Sequence, residues 1–238
     1  MSDPWTALRT ATRARIGLGR TGDALPVQDV LAFQLAHARA RDAVHTPLDT
    51  ATIAAALKPL PSLIVHSKAV DRETYLRRPD LGRQLDPNCT LPTGPFDAAF
   101  VIADGLSPVA VQHHAVPFLQ ACLAHLQGWS IAPVIVATRA RVALGDEIGE
   151  RLQANICAVL IGERPGLSVA DSLGVYLTYQ PRIGRRDSER NCISNIHAHG
   201  LSYHAAAGTL AWLMTQARFR KLTGVDLKDD RPRMPYIG

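Results

Sequence analysis

The chain has 238 residues, and 47% of them are hydrophobic, which excludes an intrinsically disordered protein. Its net charge of +5 is spread over both halves of the chain without a basic, aromatic-rich segment, so nucleic acid is not an expected partner. The sequence contains no apolar run of the roughly 18 residues that a membrane span needs, and its start, MSDPWTALRT, lacks the apolar core of a secretion signal.

Residues 1–90 are predicted to form a helical N-terminal region followed by a linker. Residues 27–44 carry apolar side chains at helical spacing, and residues 48–60 form a second, alanine-rich helical pattern. Residues 77–95 contain four prolines and two glycines, a composition that is typical of turns and loops. We therefore place a domain boundary within this segment, and we expect the second domain to cover residues 91–238.

Apolar runs alternate with helical patterns over the rest of the chain. The predicted strands cover residues 62–66, 97–105, 131–138, 155–162 and 173–179, and the predicted helices cover residues 107–127, 145–154 and 202–224. Ser107 followed by Pro108 is typical of a helix start. Strands separated by helices indicate an α/β fold, in which crossover helices connect a mostly parallel, Rossmann-like sheet.

Polar residues follow three of the predicted strands. Asp104 comes after the first strand of the second domain, the segment ATRARVALGDE comes at the end of the next, and Glu163 and Arg164 come after the third. In open α/β sheets, ligands bind beyond the carboxyl ends of the strands. We therefore expect a binding crevice at this edge of the sheet, with Glu163 in it.

Asp104 and Ser107 allow more than one interpretation. Together with a histidine, they are the residue types that a hydrolase-like enzyme uses, but Val109 stands where the nucleophile motif G-x-S-x-G needs its second glycine. A helix-capping role is therefore the favoured interpretation of Ser107. Asp104 either caps a turn or holds a ligand.

The histidines and cysteines do not predict a metal site. His197 and His199 are close in sequence, but no third ligand follows at a helical or strand spacing. His113 and His114 are adjacent on a predicted helix and are expected to face different directions. The four cysteines are widely separated, which argues against a zinc ribbon or a redox pair and indicates free thiols in a reducing compartment.

Arginines and small polar residues are dense between residues 182 and 196, RIGRRDSERNCISNI. The arginines are interpreted either as part of a solvated loop or as ligand contacts. The string NCISN offers amides, a hydroxyl and a thiol to a ligand. Cys192 would need a neighbouring base to act as a nucleophile, and the sequence does not identify one.

Several segments, in a fixed order, resemble one known family. They are DPWTALRTATRARIGLGRTG, VLAFQLAHARARDAV, RRPDLGRQL, VIADGLS, ATRARVALGDEIGE, LIGERPGLSVADSLGVYLTY, ERNCISNI and GLSYHAAAGTLAWL. Together they cover nearly the whole chain, and they are similar to the small subunit (light chain) of ethanolamine ammonia-lyase. The segment NIHAHGLSY departs from the usual sequence of the family, which leaves His197 and His199 without an assigned role.

This resemblance implies a function and a partner. The family's enzyme is an adenosylcobalamin-dependent lyase that converts ethanolamine to acetaldehyde and ammonia. Its large subunit is a β/α barrel with the substrate site, and the cobalamin, with its cobalt, lies between the two subunits. The resemblance therefore implies that residues 91–238 contact cobalamin, that the chain forms a hetero-oligomer with the large subunit, and that it carries no catalytic residue. It also implies a cytoplasmic location, including the interior of a bacterial microcompartment.

Three cofactor contacts are carried over from the family by motif: Val142 in RARVALGDE, Glu163 in IGERPG and Cys192 in RNCISN. The Glu163 carboxylate can accept hydrogen bonds from the amides of the corrin ring. Val142 can meet its apolar edge, and Cys192 is small enough to lie close to it. Two alternative functions stay open: a stand-alone hydrolase-like enzyme that uses Asp104 and Ser107, and a free-standing cobalamin-binding protein.

Overall fold

The computed structural model describes residues 3–12 and 14–231, so residues 232–238 of the predicted second domain lie outside it. The described residues form a mixed α/β fold. The α-helices are α1 (Thr6–Ala11), α2 (Val27–His45), α3 (Thr50–Ala56), α4 (Arg72–Arg77), α5 (Pro108–Leu123), α6 (Leu144–Leu152) and α7 (Tyr203–Arg220). The strands are β1 (Ser62–His66), β2 (Ala98–Ala103), β3 (Val134–Thr138), β4 (Ile156–Gly162), β5 (Leu173–Tyr179) and β6 (Asn191–Ile196). Short 3₁₀ helices cover Leu81–Arg83, Asp187–Glu189 and Gly224–Asp226.

The six strands of the described chain form one sheet with the order β1-β3-β2-β4-β5-β6. β1, β3, β2 and β4 pair in parallel, and Val101 of β2 lies between Ile135 of β3 and Val159 of β4. β5 is antiparallel to β4, and β6 is antiparallel to β5. The predicted mostly parallel α/β sheet is confirmed. The more specific Rossmann-like description is not confirmed, because the strand order differs from the 3-2-1-4-5-6 order of that fold.

Strand β1 comes from the N-terminal side of the predicted domain boundary, and it pairs with β3 along its whole length. The sheet therefore includes a strand from the segment 1–90. The division of the chain into residues 1–90 and 91–238 stays a prediction.

Helices cover both faces of the central strands, and this is why β2 and β4 appear in the sequence as continuous apolar runs. Every residue of β2 and β4 is buried. In β2, Phe100 and Ile102 pack in the apolar cluster that contains residues of α5 and α7. Val101 points to the opposite face, where it packs with Ile148 of α6. α5 and α6 therefore lie on opposite sides of the sheet.

Two elements were not predicted from the sequence. Helix α4 begins after Asp71, whose carboxylate accepts a hydrogen bond from the Thr74 amide at 2.7 Å. Strand β6 covers the polar string that we interpreted as a source of ligand contacts. It lies at the edge of the sheet, and only Ile193 and Ile196 of the strand are buried. Two apolar residues are too few to produce a recognisable strand pattern.

Helix α2 lies at its predicted position, but its apolar face is largely uncovered. Val27, Leu31 and Leu35 of this face are all exposed, and Ala43 is the one buried residue of the helix. The apolar spacing thus predicted the helix correctly without predicting its burial within this chain. Among the described residues, no helix has the length and apolar character needed to cross a membrane.

Candidate functional site

A cavity of about 490 Å³ lies at the carboxyl ends of β2, β3 and β4. The helices that follow β2 and β3 pack on opposite faces of the sheet, so the connecting loops diverge and leave space between them. The lining of this cavity includes Tyr75, Arg141, Val142, Glu163 and Tyr176. The cavity lies at the edge of the sheet where the sequence predicted a crevice.

Two glycines allow the ends of β2 and β4 to approach each other beside the cavity. Gly105 adopts a φ of +57°, and a Cβ at this position would lie 2.3 Å from the carbonyl oxygen of Gly162. A Cβ on Gly162 would lie 2.1 Å from the carbonyl oxygen of Ser107. The amide of Leu106 donates to the Gly162 carbonyl at 2.9 Å. Because a side chain at either glycine would push the strand ends apart, this contact positions Glu163, the next residue along the chain.

The Glu163 carboxylate is half-buried and has partners on one oxygen. Oε2 accepts hydrogen bonds from Ser172 Oγ at 2.5 Å and from the Asn195 amide at 3.4 Å. Oε1 would lie 2.8 Å from a Cβ on Gly174, so the glycine makes room for the carboxylate against β5. Among the described residues no donor contacts Oε1, which leaves this atom available to an N–H group of a ligand.

Val142 and Cys192 reach the same region from different elements. Val142 lies in the loop between β3 and α6 and lines the cavity together with Glu163. Cys192 on β6 lies directly opposite Tyr176 on β5, and the Tyr176 side chain also lines the cavity. Surrounding protein atoms desolvate the thiol and raise its pKa, and the Glu163 carboxylate adds to the effect. The thiol is therefore protonated at neutral pH, which does not suit a nucleophile.

Sequence patterns did not reveal two other cavity residues, Tyr75 and Arg141. Tyr75 is fully buried on α4 and donates a hydrogen bond to the Ala140 carbonyl at 3.1 Å. The guanidinium groups of Arg72 and Arg141 lie 4.8 and 4.4 Å from the centre of its ring. Burial raises the pKa of the Tyr75 hydroxyl above its usual range. No local signal identifies these residues, because α4 and the β3–α6 loop are far apart in the sequence and meet only in the fold.

The chain matches a family model over nearly its whole length. The model, described as "Ethanolamine ammonia-lyase light chain (EutC)", covers residues 2–228. The chain belongs to the ethanolamine ammonia-lyase light chain family. The resemblance that the sequence motifs indicated is therefore confirmed.

Curated members of the ethanolamine ammonia-lyase light chain family are similar to this chain over almost the same length. The ethanolamine ammonia-lyase small subunit of Pseudomonas aeruginosa is 51% identical over 240 residues, which are 96% of this chain and 88% of the relative. The small subunit of Azotobacter vinelandii is also 51% identical over 240 residues, and the matched region is 89% of that relative's length. The small subunit of Xanthomonas campestris pv. campestris is 51% identical over 248 residues, which are 99% of this chain and 91% of the relative.

In this member of the light chain family, Asp104 stabilises the fold. Its side chain is almost fully buried. The carboxylate accepts hydrogen bonds from the amides of Arg139 and Ala140 at 2.7 and 2.8 Å, and it pairs with Arg72 at 3.2 Å. Of the two roles that the sequence allowed, Asp104 therefore has the structural one: it holds the turn after β3.

Ser107 also has a structural role. It is fully buried, and its Oγ accepts a hydrogen bond from the Ala110 amide at 3.2 Å, which confirms the predicted helix cap. The same hydroxyl donates to the Ala170 carbonyl at 2.9 Å. A hydroxyl that is buried and engaged in this way cannot attack an ester, so the geometry does not support the hydrolase alternative.

The arginine-rich segment is not a solvated loop throughout. Arg190 is buried and forms a bidentate ion pair with Asp146 of α6, with N–O distances of 2.5 and 2.7 Å. Arg185 pairs with Glu189 within the segment. The interpretation of the arginines as part of a solvated loop is therefore wrong for Arg190. Its partner, Asp146, is far away in the sequence, so no sequence pattern indicated this buried ion pair.

His197 and His199 lie at a different cavity. This cavity, of about 690 Å³, is bounded by α2 and residues 166–171, and both histidines line it. His197 Nε2 lies 2.8 Å from Asn195 Oδ1. Although this cavity is larger than the one beside Glu163, its lining includes none of the three predicted cofactor contacts.

His113 is exposed and His114 is buried, so the two residues face different sides of the helix, but they share a neighbour that the sequence did not predict. Both rings approach the same carboxylate oxygen, Oδ2 of Asp171. Adjacent helical residues are separated by about 100° around the helix axis, and the end of the β4–β5 loop brings Asp171 between them. This loop residue is far from α5 in the sequence, so helical spacing alone could not predict the contact.

Proposed function

We propose that this chain is the small subunit of an adenosylcobalamin-dependent ethanolamine ammonia-lyase, which converts ethanolamine to acetaldehyde and ammonia. The chain supplies cofactor contacts and an assembly surface, in the cytoplasm or in a bacterial microcompartment, and the large subunit carries the substrate site. One observation carries the proposal beyond family membership: Val142 and Glu163 line one cavity, and Cys192 is the cross-strand neighbour of Tyr176, which also lines it.

The residues around the cavity fit the chemistry of cobalamin. Its corrin ring bears amide groups whose N–H donors match the available Oε1 of Glu163. Its phosphodiester matches a guanidinium such as that of Arg141, whose buried Nε has no hydrogen-bond partner among the described residues. Val142 and Tyr176 offer apolar contact. When bound, adenosylcobalamin supplies the radical chemistry of the reaction. The residues of this chain bind the cofactor, orient it and keep water away.

The size of the cavity supports a site that two subunits share. Cavities of roughly 300–1,000 Å³ enclose drug-sized ligands, and cobalamin is considerably larger than these. A cavity of about 490 Å³ can therefore hold only one part of it. The exposed apolar face of α2, which includes Val27, Leu31 and Leu35, is a surface suited to burial against the large subunit.

Reconstitution with the large subunit tests this function. We expect the two chains to co-purify, and we expect the complex to retain a corrinoid, measured by visible absorption after gel filtration, and to release ammonia from ethanolamine. The isolated chain should retain little corrinoid. A complex that forms but binds the corrinoid no better than the large subunit alone would contradict the cofactor role.

The same preparations distinguish the two alternatives. Tight corrinoid binding by the isolated chain, unchanged by the large subunit, would favour a free-standing cobalamin-binding protein. Hydrolysis of ester substrates by the isolated chain, abolished in Ser107→Ala, would favour a hydrolase.

A further inference from the structure

Three side chains of metal-binding type meet on the face of the sheet opposite to Val142 and Tyr176. Nδ1 of His113 lies 3.7 Å from Oδ2 of Asp171, and Nε2 of His114 lies 3.5 Å from the same oxygen. The three ligand atoms all lie within 4.8 Å of one another. α5 supplies both histidines, and the last turn of the β4–β5 loop supplies the carboxylate.

His114 provides a second, independent observation. The residue is 5% exposed, and its buried Nε2 makes no hydrogen bond of good geometry among the described residues, although Asp171 Oδ2 lies 3.5 Å away. Its other ring nitrogen, Nδ1, lies 2.7 Å from the Tyr203 hydroxyl. If Nδ1 donates its proton to Tyr203, the lone pair of Nε2 points toward Asp171. Buried ring nitrogens are almost always satisfied, so this atom requires an explanation.

The distances and the ligand types suit one class of ion. Two ligand atoms of a tetrahedral zinc site, each at 2.0–2.1 Å from the metal, lie about 3.3 Å apart, which is close to the observed separations from Asp171. Calcium and magnesium prefer oxygen ligands, whereas imidazole nitrogens suit zinc and similar transition metals. Tyr203 is positioned as the outer partner that fixes the tautomer of a metal-bound histidine. His113 is exposed, which provides a path for the ion.

We propose that His113, His114 and Asp171 form a binding site for a divalent transition-metal ion of the zinc type. Three protein ligands leave a fourth position for water. The ion links α5 to the loop that connects β4 with β5. Asp171 precedes Ser172, which donates to Glu163, so the ion stabilises the loop that holds this carboxylate. The metal site itself does not depend on the proposed function.

Zinc titration of the full-length, tag-free chain after chelator treatment tests the site. We expect one equivalent of Zn²⁺ to bind in competition with a chromophoric chelator, and we expect a rise in the thermal unfolding temperature. His113→Ala changes an exposed residue, so it should leave the fold intact and lower the affinity by more than about 100-fold. Asp171→Asn should also leave the fold intact and lower the zinc affinity to a similar extent. Circular dichroism checks that both variants are folded.

His66→Ala is the matched control. His66 Nε2 lies 3.9 Å from Asp86 Oδ2, but this pair has no third ligand atom among the described residues. Its removal should leave zinc affinity unchanged. The proposal is overturned if the wild-type chain binds no zinc, or if His113→Ala and Asp171→Asn, both folded, bind it as tightly as the wild type. Either result would mean that the three side chains form an ordinary carboxylate–histidine contact.

Discussion

The carboxyl ends of β2 and β4 lie side by side, yet the carboxylates that follow them have different surroundings. Asp104 after β2 is 4% exposed, and both of its oxygens accept hydrogen bonds from protein groups. Glu163 after β4 is half-buried, and within residues 3–12 and 14–231 protein donors reach only its Oε2. The comparison shows that a carboxylate at a strand end has a structural role when the fold satisfies all of its acceptor sites. Where the fold leaves one oxygen open, as at Glu163, we propose a ligand contact.

The largest expected effect is a loss of stability on removal of the structural carboxylate, Asp104. Asp104→Ala leaves the Arg72 charge and two amides without their acceptor, and we expect the free energy of unfolding to fall by about 3–5 kcal/mol. Urea unfolding, followed by circular dichroism, measures the loss. Asp80→Ala, which removes an exposed partner of Arg78, should change stability little. A similarly small change for Asp104→Ala would mean that this carboxylate is not structural.

The next effect concerns the close contact between the two strand ends. Gly162→Ala would place a Cβ 2.1 Å from the Ser107 carbonyl oxygen, and we expect a loss of about 1–3 kcal/mol in the free energy of unfolding. Gly208→Ala in α7 is the control, because its Cβ meets no atom of the described chain within 4 Å. That change should stabilise the helix by about 0.5–1 kcal/mol. Equal effects of the two substitutions on thermal unfolding would contradict the close contact.

On the ligand side, Glu163→Ala should weaken cobalamin binding in the assembled complex and leave the fold intact. Unpaired corrin amides cost about 1–3 kcal/mol, which corresponds to roughly 5- to 150-fold in the dissociation constant. Spectroscopic titration of the complex measures this change. Glu73→Ala, at an exposed glutamate of α4, should leave the constant unchanged. Normal cobalamin affinity in Glu163→Ala would remove this residue from the proposed site.

The smallest expected effect is at Val142, which lines the cavity through apolar contact alone. Val142→Ala should weaken cobalamin binding by about 1 kcal/mol, or roughly 5-fold, because less apolar surface is buried. Stability of the isolated chain should be nearly unchanged, since the side chain is only partly buried. An effect larger than that of Glu163→Ala would show that apolar contact, rather than the open carboxylate oxygen, dominates the site.

Much of the fold was predictable because its central strands are buried on both faces. β2 and β4 are continuous apolar runs, and Ser107 with Pro108 marks the start of α5, so these elements were correctly predicted. The edge strand β6 was missed because one of its faces is exposed and polar. Strand order and the antiparallel direction of β5 depend on which strands pair, and hydrophobic patterning carries no information on that choice.

The candidate site was only partly predictable. The position of Glu163 directly after a buried strand indicated a ligand-facing carboxylate, and the same reasoning left the role of Asp104 open. Its structural role became clear only when the turn at Arg139 and the side chain of Arg72 were seen to surround it. Tyr75 and Arg141 were missed for the same reason, since their contact joins distant segments.

The sequence by itself determined the family, the buried strands and the helix starts, because these follow from motifs and from spacings of a few residues. Only the tertiary structure decided which charged groups are satisfied, as Asp104 is by Arg72 and Arg190 is by Asp146, and which ring nitrogens approach a carboxylate, as that of His114 approaches Asp171. The physical reason is that a charge or a ring nitrogen interacts over a few ångströms. Packing, not distance along the chain, brings such groups that close together.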